Sequence, residues 1–170
     1  MHADSSGAER TISFFLATKN QGDARLNILL TGGCGYIGSH TAVKLLESDH
    51  EITILDDFSN AQQFIPDRIK QLTGKDLNLI VGDVRNRATV ENIFRQYNID
   101  AVMHFAGMKS VKESIEKPLN YYDANVSGTI KLLEIMGKFG VHKFIFSSSA
   151  TVYGACNVSP LKESMGLSLI

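Results

Sequence analysis

From Leu26 onward the chain alternates between short, nearly continuous apolar runs and longer segments whose apolar residues recur every three or four positions. Asn27–Leu30, Ile52–Leu55, Leu77–Val81, Ala101–Phe105 and Lys143–Phe146 have the length of strands, and their largely continuous hydrophobicity is that expected of strands covered on both faces. Between them, Ile37–Glu47, Ile65–Leu72, Thr89–Tyr97 and Pro118–Phe139 carry the helical period. Pro118 suits a first helical turn, where its missing N–H costs nothing, and Gly140 suits the residue just past a helix end. Strands alternating with helices predict an α/β fold built on a doubly wound parallel sheet.

Residues 1–26 precede this alternation and read as a flexible extension, with docking of Phe14 and Phe15 on the domain as the alternative. The apolar stretch ISFFLA, Ile12–Ala17, is too short for the core of a signal peptide, and no run approaches the roughly 20 apolar residues that span a bilayer. With 170 residues, 44% hydrophobic content and a net charge of -1, the sequence predicts one ordinary core-forming domain with neither nucleic acid nor membrane as partner. Two cysteines, Cys34 and Cys156, form no disulfide framework and no metal-like spacing, so they read as packing residues of a cytoplasmic protein without a metal.

The chemistry begins where the first strand ends. Thr31-Gly32-Gly33-Cys34-Gly35-Tyr36-Ile37-Gly38 runs directly into a helix. Gly32, Gly35 and Gly38 let the backbone turn tightly, approach a pyrophosphate and pack helix on strand, while the helix N-terminus offers N–H groups to the anion. Glycines also mark any tight turn, but this pattern sits between a strand and a helix, the context a Rossmann-type dinucleotide site requires. The second strand ends in Asp56-Asp57, 18 and 19 residues after Gly38. A carboxylate there accepts hydrogen bonds from ribose hydroxyls and repels a 2′-phosphate, which favours NAD over NADP. The alternative is a plain Asp/Asn turn. Asp83, after the third strand, has the same two readings: an acceptor for the adenine amine, or a turn residue.

Three segments, TGGCGYIGSH, HFAGMKSVKESIEKPLNYYDANVSGT and KFIFSSSATVYG, resemble the extended short-chain dehydrogenases and, within them, the UDP-glucose 4-epimerases; the likeness runs from Leu26 to Ser164. The resemblance implies that Tyr36 and Ile37 contact the pyrophosphate of NAD and that Asp56, Asp57 and Asn60 surround the adenosine ribose. Asp57 stands where the family usually has Asn, which leaves its own contact open. By the same resemblance Asp83 and Val84 line the adenine, and Phe105, Ala106 and Gly107 form the floor beneath the cofactor. Lys109 matches a lysine reaching the nicotinamide-side ribose; on composition alone it is a surface charge. Asn125 matches an asparagine supporting the nicotinamide end, with a purely structural hydrogen bond as its alternative. Ser149 matches the hydroxyl that meets the sugar oxygen being oxidised, whereas Ser147 and Ser148 satisfy backbone groups or touch the cofactor. The Ala150-Thr151 that follows is epimerase-like; the family's dehydratases carry an Asp-Glu pair there.

The implied activity is interconversion of UDP-glucose and UDP-galactose by oxidation and reduction at sugar C4, on a UDP-sugar substrate, in a homodimer. Its base is a tyrosine followed four residues later by lysine, and no such pair occurs here: four residues beyond the five tyrosines stand His40, Ala101, Asn125, Val126 and Asn157. The pair is expected beyond Ile170, because resemblance persists through Pro160–Ser164 and lapses in MGLSLI, residues 165–170. The expected organisation is therefore an extension at 1–26, an incomplete NAD-binding domain at 27–164 and a divergent tail, truncated before the catalytic helix and substrate domain. A catalytically silent NAD-binding module, and an epimerase or dehydratase for another sugar nucleotide, are the competing readings. An incomplete domain exposes apolar surface and a sheet edge, which predicts a weakly stable, association-prone monomer with impaired dimerisation.

Overall fold

The computed structural model describes residues 25–154, 160–162 and 164–167. The expectations for residues 1–24 and for Cys156 lie outside the described residues. Five strands, β1 (Asn27–Thr31), β2 (Glu51–Asp56), β3 (Asn78–Val81), β4 (Ala101–His104) and β5 (Lys143–Phe146), form one parallel sheet in the order β3-β2-β1-β4-β5. The strand order reverses at β1, which makes its carboxyl end and that of β4 the walls of a crevice.

Helices cover both faces of β1, β2 and β4, but the edge strands β3 and β5 are only half-buried, with Leu79, Val81 and Phe146 exposed, so the expectation of strands covered on both faces fails at the sheet edges. α1 (Tyr36–Glu47) and α2 (Ile65–Thr73) lie on one side, where Ala42, Leu45, Leu46 and Ile69 meet Ile28, Leu30, Ile52, Ile54 and Met103. α3 (Arg87–Gln96) lies on the other, with Val90, Ile93 and Phe94 against Leu29, Leu55 and Val102. No helix among the described residues is long and apolar enough to cross a membrane.

The expected helix Pro118–Phe139 is corrected in detail. It is α5 (Pro118–Tyr122), a π-helical turn (Asp123–Ser127) and α6 (Gly128–Lys138), whose Leu132, Ile135 and Met136 complete the second core. Hydrophobic period does not register one wide turn inside a helix. A short helix, α4 (Val111–Glu116), precedes it where none was expected. It starts because the Ser110 hydroxyl accepts the Glu113 N–H at 3.3 Å, a side-chain cap. The third expected helix starts earlier, at Arg87, because Asn86 caps it through the Thr89 N–H at 3.2 Å. Gly140 ends α6 as expected: its φ is +70°, and the Val141 N–H reaches back to Met136 O at 2.9 Å. Along α4, α5, the π turn and α6 the side chains of Ile115, Leu119, Tyr122, Val126, Ile130 and Leu133 are exposed, an apolar row with helical spacing.

Two features hold the crevice walls in place. Gly38 packs the first turn of α1 against the end of β1 so closely that a Cβ there would fall on Gly32 O and within 2.7 Å of Gly33 Cα. His104, at the end of β4 and fully buried, joins sheet to helix. The Thr129 hydroxyl donates to Asn125 O at 2.7 Å, so at 3.0 Å it accepts from His104 Nε2–H; His104 Nδ1 then accepts from the Thr31 hydroxyl at 2.5 Å. This chain fits a neutral imidazole. Burial, aided by the positive charge of Lys109, pushes the His104 pKa from 6.5 down to about 4.

Because the unfolded chain takes up that proton first, the stabilisation is complete above pH 6.5 and is lost as pH falls towards 4. The loss amounts to about 3 kcal/mol for this group. Urea midpoints measured from pH 7 to 4 are expected to fall less steeply in His104→Gln; equal slopes in the two proteins would contradict the assignment. Gly38→Ala is expected to cost at least about 2 kcal/mol through overpacking. The control is Gly137→Ala, at an exposed α6 position where a Cβ meets nothing within 4 Å; it should gain about 0.4–1 kcal/mol. A thermal melt of both variants checks the pair.

Candidate functional site

The glycine segment lies at the carboxyl edge, at the point where strand order reverses. Gly32 has a φ of +68°, and a Cβ on it would stand 2.6 Å from Ala106 N and 2.8 Å from the Phe105 carbonyl carbon. Backbone thus touches backbone across the crevice, and only a residue without a side chain permits it. Gly35 precedes α1 with no side-chain cap, and the first turn carries no acidic residue. The positive end of this helix dipole is therefore left for an outside anion. Tyr36 and Ile37, expected at the pyrophosphate, are both exposed there, Tyr36 at 83%.

Asp56 closes the other side. It is buried, and its carboxylate accepts the Cys34 N–H at 2.8 Å and the Phe58 N–H at 2.9 Å. The second bond holds a turn in which Phe58 has a φ of +56°, a conformation disfavoured for a bulky residue. A carboxylate offers about four acceptor positions, so about two remain on Asp56, the number a ribose diol needs. Asp57 accepts only the Ser59 N–H, at 2.9 Å, and with Asn60 sits exposed on the outer turn. Cys34 itself is buried, its thiol pushed up to about 12 by burial and then by the charge of Asp56. It behaves as the packing residue expected.

Beyond β2, Asp83 follows the edge strand and combines a turn with an ion pair. It accepts the Arg85 N–H at 2.8 Å and grips the guanidinium through Nε and Nη2, which holds its carboxyl below the usual range. Val84 beside it is buried. On the β4 side, Phe105, Ala106 and Gly107 continue from the strand into the loop that meets Gly32. Asn125 clasps that loop: its Oδ1 accepts the Met108 N–H at 2.8 Å and its Nδ2 donates to Met108 O at 2.9 Å. Asn125 thus makes structural hydrogen bonds to a loop beside the crevice. Lys109 is exposed.

Ser149 stands at the carboxyl edge of β5, on the far flank. Its Oγ accepts the Thr151 N–H at 3.2 Å and lies 2.8 Å from Thr151 Oγ1, capping a 3-10 turn at Ala150–Tyr153. Gly32, Gly35, Tyr36, Ile37, Gly38, Asp56 and Phe105–Gly107 are therefore gathered around one crevice, with Asp83 and Ser149 at the ends of the two edge strands. Sequence reasoning missed His104, Thr129, Arg85 and Asp123. The available signals were a histidine in an otherwise apolar strand and an arginine two residues after an expected acceptor.

A family model described as GDP-mannose 4,6 dehydratase matches residues 29–168. A UDP-glucose 4-epimerase of Bacillus subtilis is 51% identical over 140 residues, 82% of this chain and 41% of the relative. One from Klebsiella pneumoniae is 52% identical over 139 residues, again 82% of this chain but 100% of the relative. Among solved structures, the UDP-glucose-4-epimerase from Stenotrophomonas maltophila with bound NAD and formylated UDP-arabinopyranose superposes with a TM-score of 0.79 at 41% identity, over 86% of this chain and 44% of that one. The UDP-glucose 4-epimerase from Bifidobacterium longum in complex with NAD+ and UDP gives 0.78 at 43% identity, over 84% and 42%. This chain thus spans about two fifths of the Bacillus subtilis relative and of both solved structures. A parallel sheet with its crevice at the reversal point, a glycine loop closed on its partner strand, and half of the positions aligned over 82% of the chain shared with such relatives lead to one conclusion: the chain belongs to the UDP-glucose 4-epimerase family.

Proposed function

We propose that this chain forms the NAD-binding half of a UDP-glucose 4-epimerase site and contributes Ser149 to the sugar side. The observation that carries the reading is Asp56, fixed by two backbone N–H groups with acceptor capacity to spare beside an uncapped helix N-terminus. The residues fit the cofactor: the α1 N-terminus carries neither a side-chain cap nor an acidic residue in its first turn, and the Asp56 carboxylate keeps acceptor positions beside it. Gly32, Gly35 and the α1 N-terminus with Tyr36 and Ile37 would hold the pyrophosphate, and Asp56 the adenosine ribose, flanked by Asp57 and Asn60. Asp83 and Val84 would line the adenine, and Phe105–Gly107, Lys109 and Asn125 the nicotinamide end. When bound, NAD supplies the reversible oxidation at sugar C4 that epimerisation requires.

The chain's own part in that reaction is placement and proton handling. Ser149 Oγ accepts the Thr151 N–H, and with the Thr151 hydroxyl, 2.8 Å away, also donating to it, the Ser149 proton is left for the sugar oxygen. Asn125 fixes Met108 and with it the loop beneath the nicotinamide end. Proton removal from the C4 hydroxyl needs a tyrosine whose pKa of about 10 is lowered by a neighbouring lysine. The 170 residues hold no Tyr-x-x-x-Lys, so we assign that base to the part of the relatives' length that this chain does not match.

Calorimetric titration is expected to show NAD binding, NADP at least about 10-fold weaker through repulsion of its phosphate by Asp56, and NAD about 10–100-fold weaker in Asp56→Ala. Equal affinity for both dinucleotides would remove Asp56 from the ribose. In a UDP-galactose epimerisation assay with NAD, the 170 residues alone should fall about 10²–10⁴-fold or more below the same chain extended with the remaining length of the Bacillus subtilis relative. Equal rates would show that the base lies within this chain.

A further inference from the structure

The π-helical turn Asp123–Ser127 touches the loops on both sides of the site. On one side, Arg85 Nη1 donates to Asp123 Oδ2 at 3.0 Å, while the same guanidinium donates to Asp83 through Nε at 2.8 Å and Nη2 at 2.6 Å. Asp83 and Asp123 together raise the Arg85 pKa, so the guanidinium is a permanent bridge. Helix approaches loop closely here: a Cβ on Gly128 would lie 3.3 Å from Arg85 Cγ and 3.6 Å from Val84 Cγ1. On the other side, Asn125 holds Met108 by two hydrogen bonds. Residues two apart on a helix project in nearly opposite directions, which is why Asp123 and Asn125 can serve opposite loops from one turn.

We propose that Asp123 and Arg85 are positioning residues for the adenine end of the cofactor site. The π turn anchors the Asp83–Arg85 loop through Asp123, just as it anchors the Phe105–Met108 loop through Asn125, and so sets the spacing between the two ends of the groove. The proposal rests on the NAD reading given above. Val84 is buried in the second core and the Asp83 carboxylate accepts the Arg85 N–H, while the bidentate fork orients that carboxylate and Asp123 orients the fork. Lysine cannot replace Arg85 in this role, because a point charge does not hold two carboxylates in fixed planes.

The test compares the wild-type chain with Asp123→Asn, Asp123→Glu and Arg85→Lys, using calorimetry with AMP and with NAD, thermal melts, and amide hydrogen exchange at Val84 and Arg85. Asp123→Asn and Arg85→Lys are expected to weaken AMP and NAD by the same factor of about 2–5, the scale of a partly exposed ion pair. Exchange at Val84 and Arg85 should accelerate without a general increase, and Asp123→Glu should restore both readouts. Wild-type affinity and exchange in Asp123→Asn would overturn the proposal, as would a lowered melting temperature with exchange accelerated throughout the domain. If the wild-type chain binds neither nucleotide, the functional reading fails. The anchor is then decided by exchange alone: local acceleration in Asp123→Asn upholds it, and unchanged exchange refutes it.

Discussion

The contact between Gly32 and the Phe105–Ala106 backbone is the constraint on which the site depends. It exists because β1 and β4 are parallel neighbours in register, Thr31 beside His104, so that both strands release their chains at the same height. Everything that shapes the crevice secures that meeting point. Leu55 O takes the Gly32 N–H and Thr31 O takes the Phe105 N–H, each at 2.8 Å, so the first residue of each loop is still tied to a neighbouring strand. Asp56 ties Cys34, and His104 ties Thr31 to α6 through Thr129. The result is a rigid floor with an unsatisfied helix end above it, a natural place for an anion.

Much of this was legible because each signal is local. Largely continuous apolar runs located all five strands, with ends displaced by a residue or so where the ladder rather than hydrophobicity decides, as at Phe105, which lies just beyond β4. Gly140 announced a helix end because only a left-handed residue stops α6 there. The interrupted helix was not legible. A π turn has the same composition as the helix around it, and its reason lies in the loops that Asp123 and Asn125 reach, 38 and 17 residues away in sequence.

The same divide runs through the site. Gly32, Gly38 and Asp56 could be read in advance because their spacing follows from chain geometry alone. His104 could not be distinguished from a structural oddity until Thr31 and Thr129 were seen at its two nitrogens, 73 and 25 residues away in sequence. Asn125 is a different case: resemblance placed it as a support near the nicotinamide, and the structure shows one amide donor and one acceptor position holding the backbone of Met108. Positions set by short-range spacing were legible in the sequence; the partners that hold the crevice walls from a distance were not.

Cys34 lies inside the glycine loop, buried and pressed by the charge of Asp56, with its thiol pushed up to about 12. Oxidation, alkylation and disulfide exchange all proceed through the thiolate, and at neutral pH that form is almost unpopulated here. The loop therefore carries a sulfur atom whose burial and protonation hold back attack by peroxide or an oxidised low-molecular-weight thiol. A small, polarisable atom fills the space beneath α1, and the chemistry that makes cysteine hazardous elsewhere is suppressed first by burial and then by the same carboxylate that organises the turn.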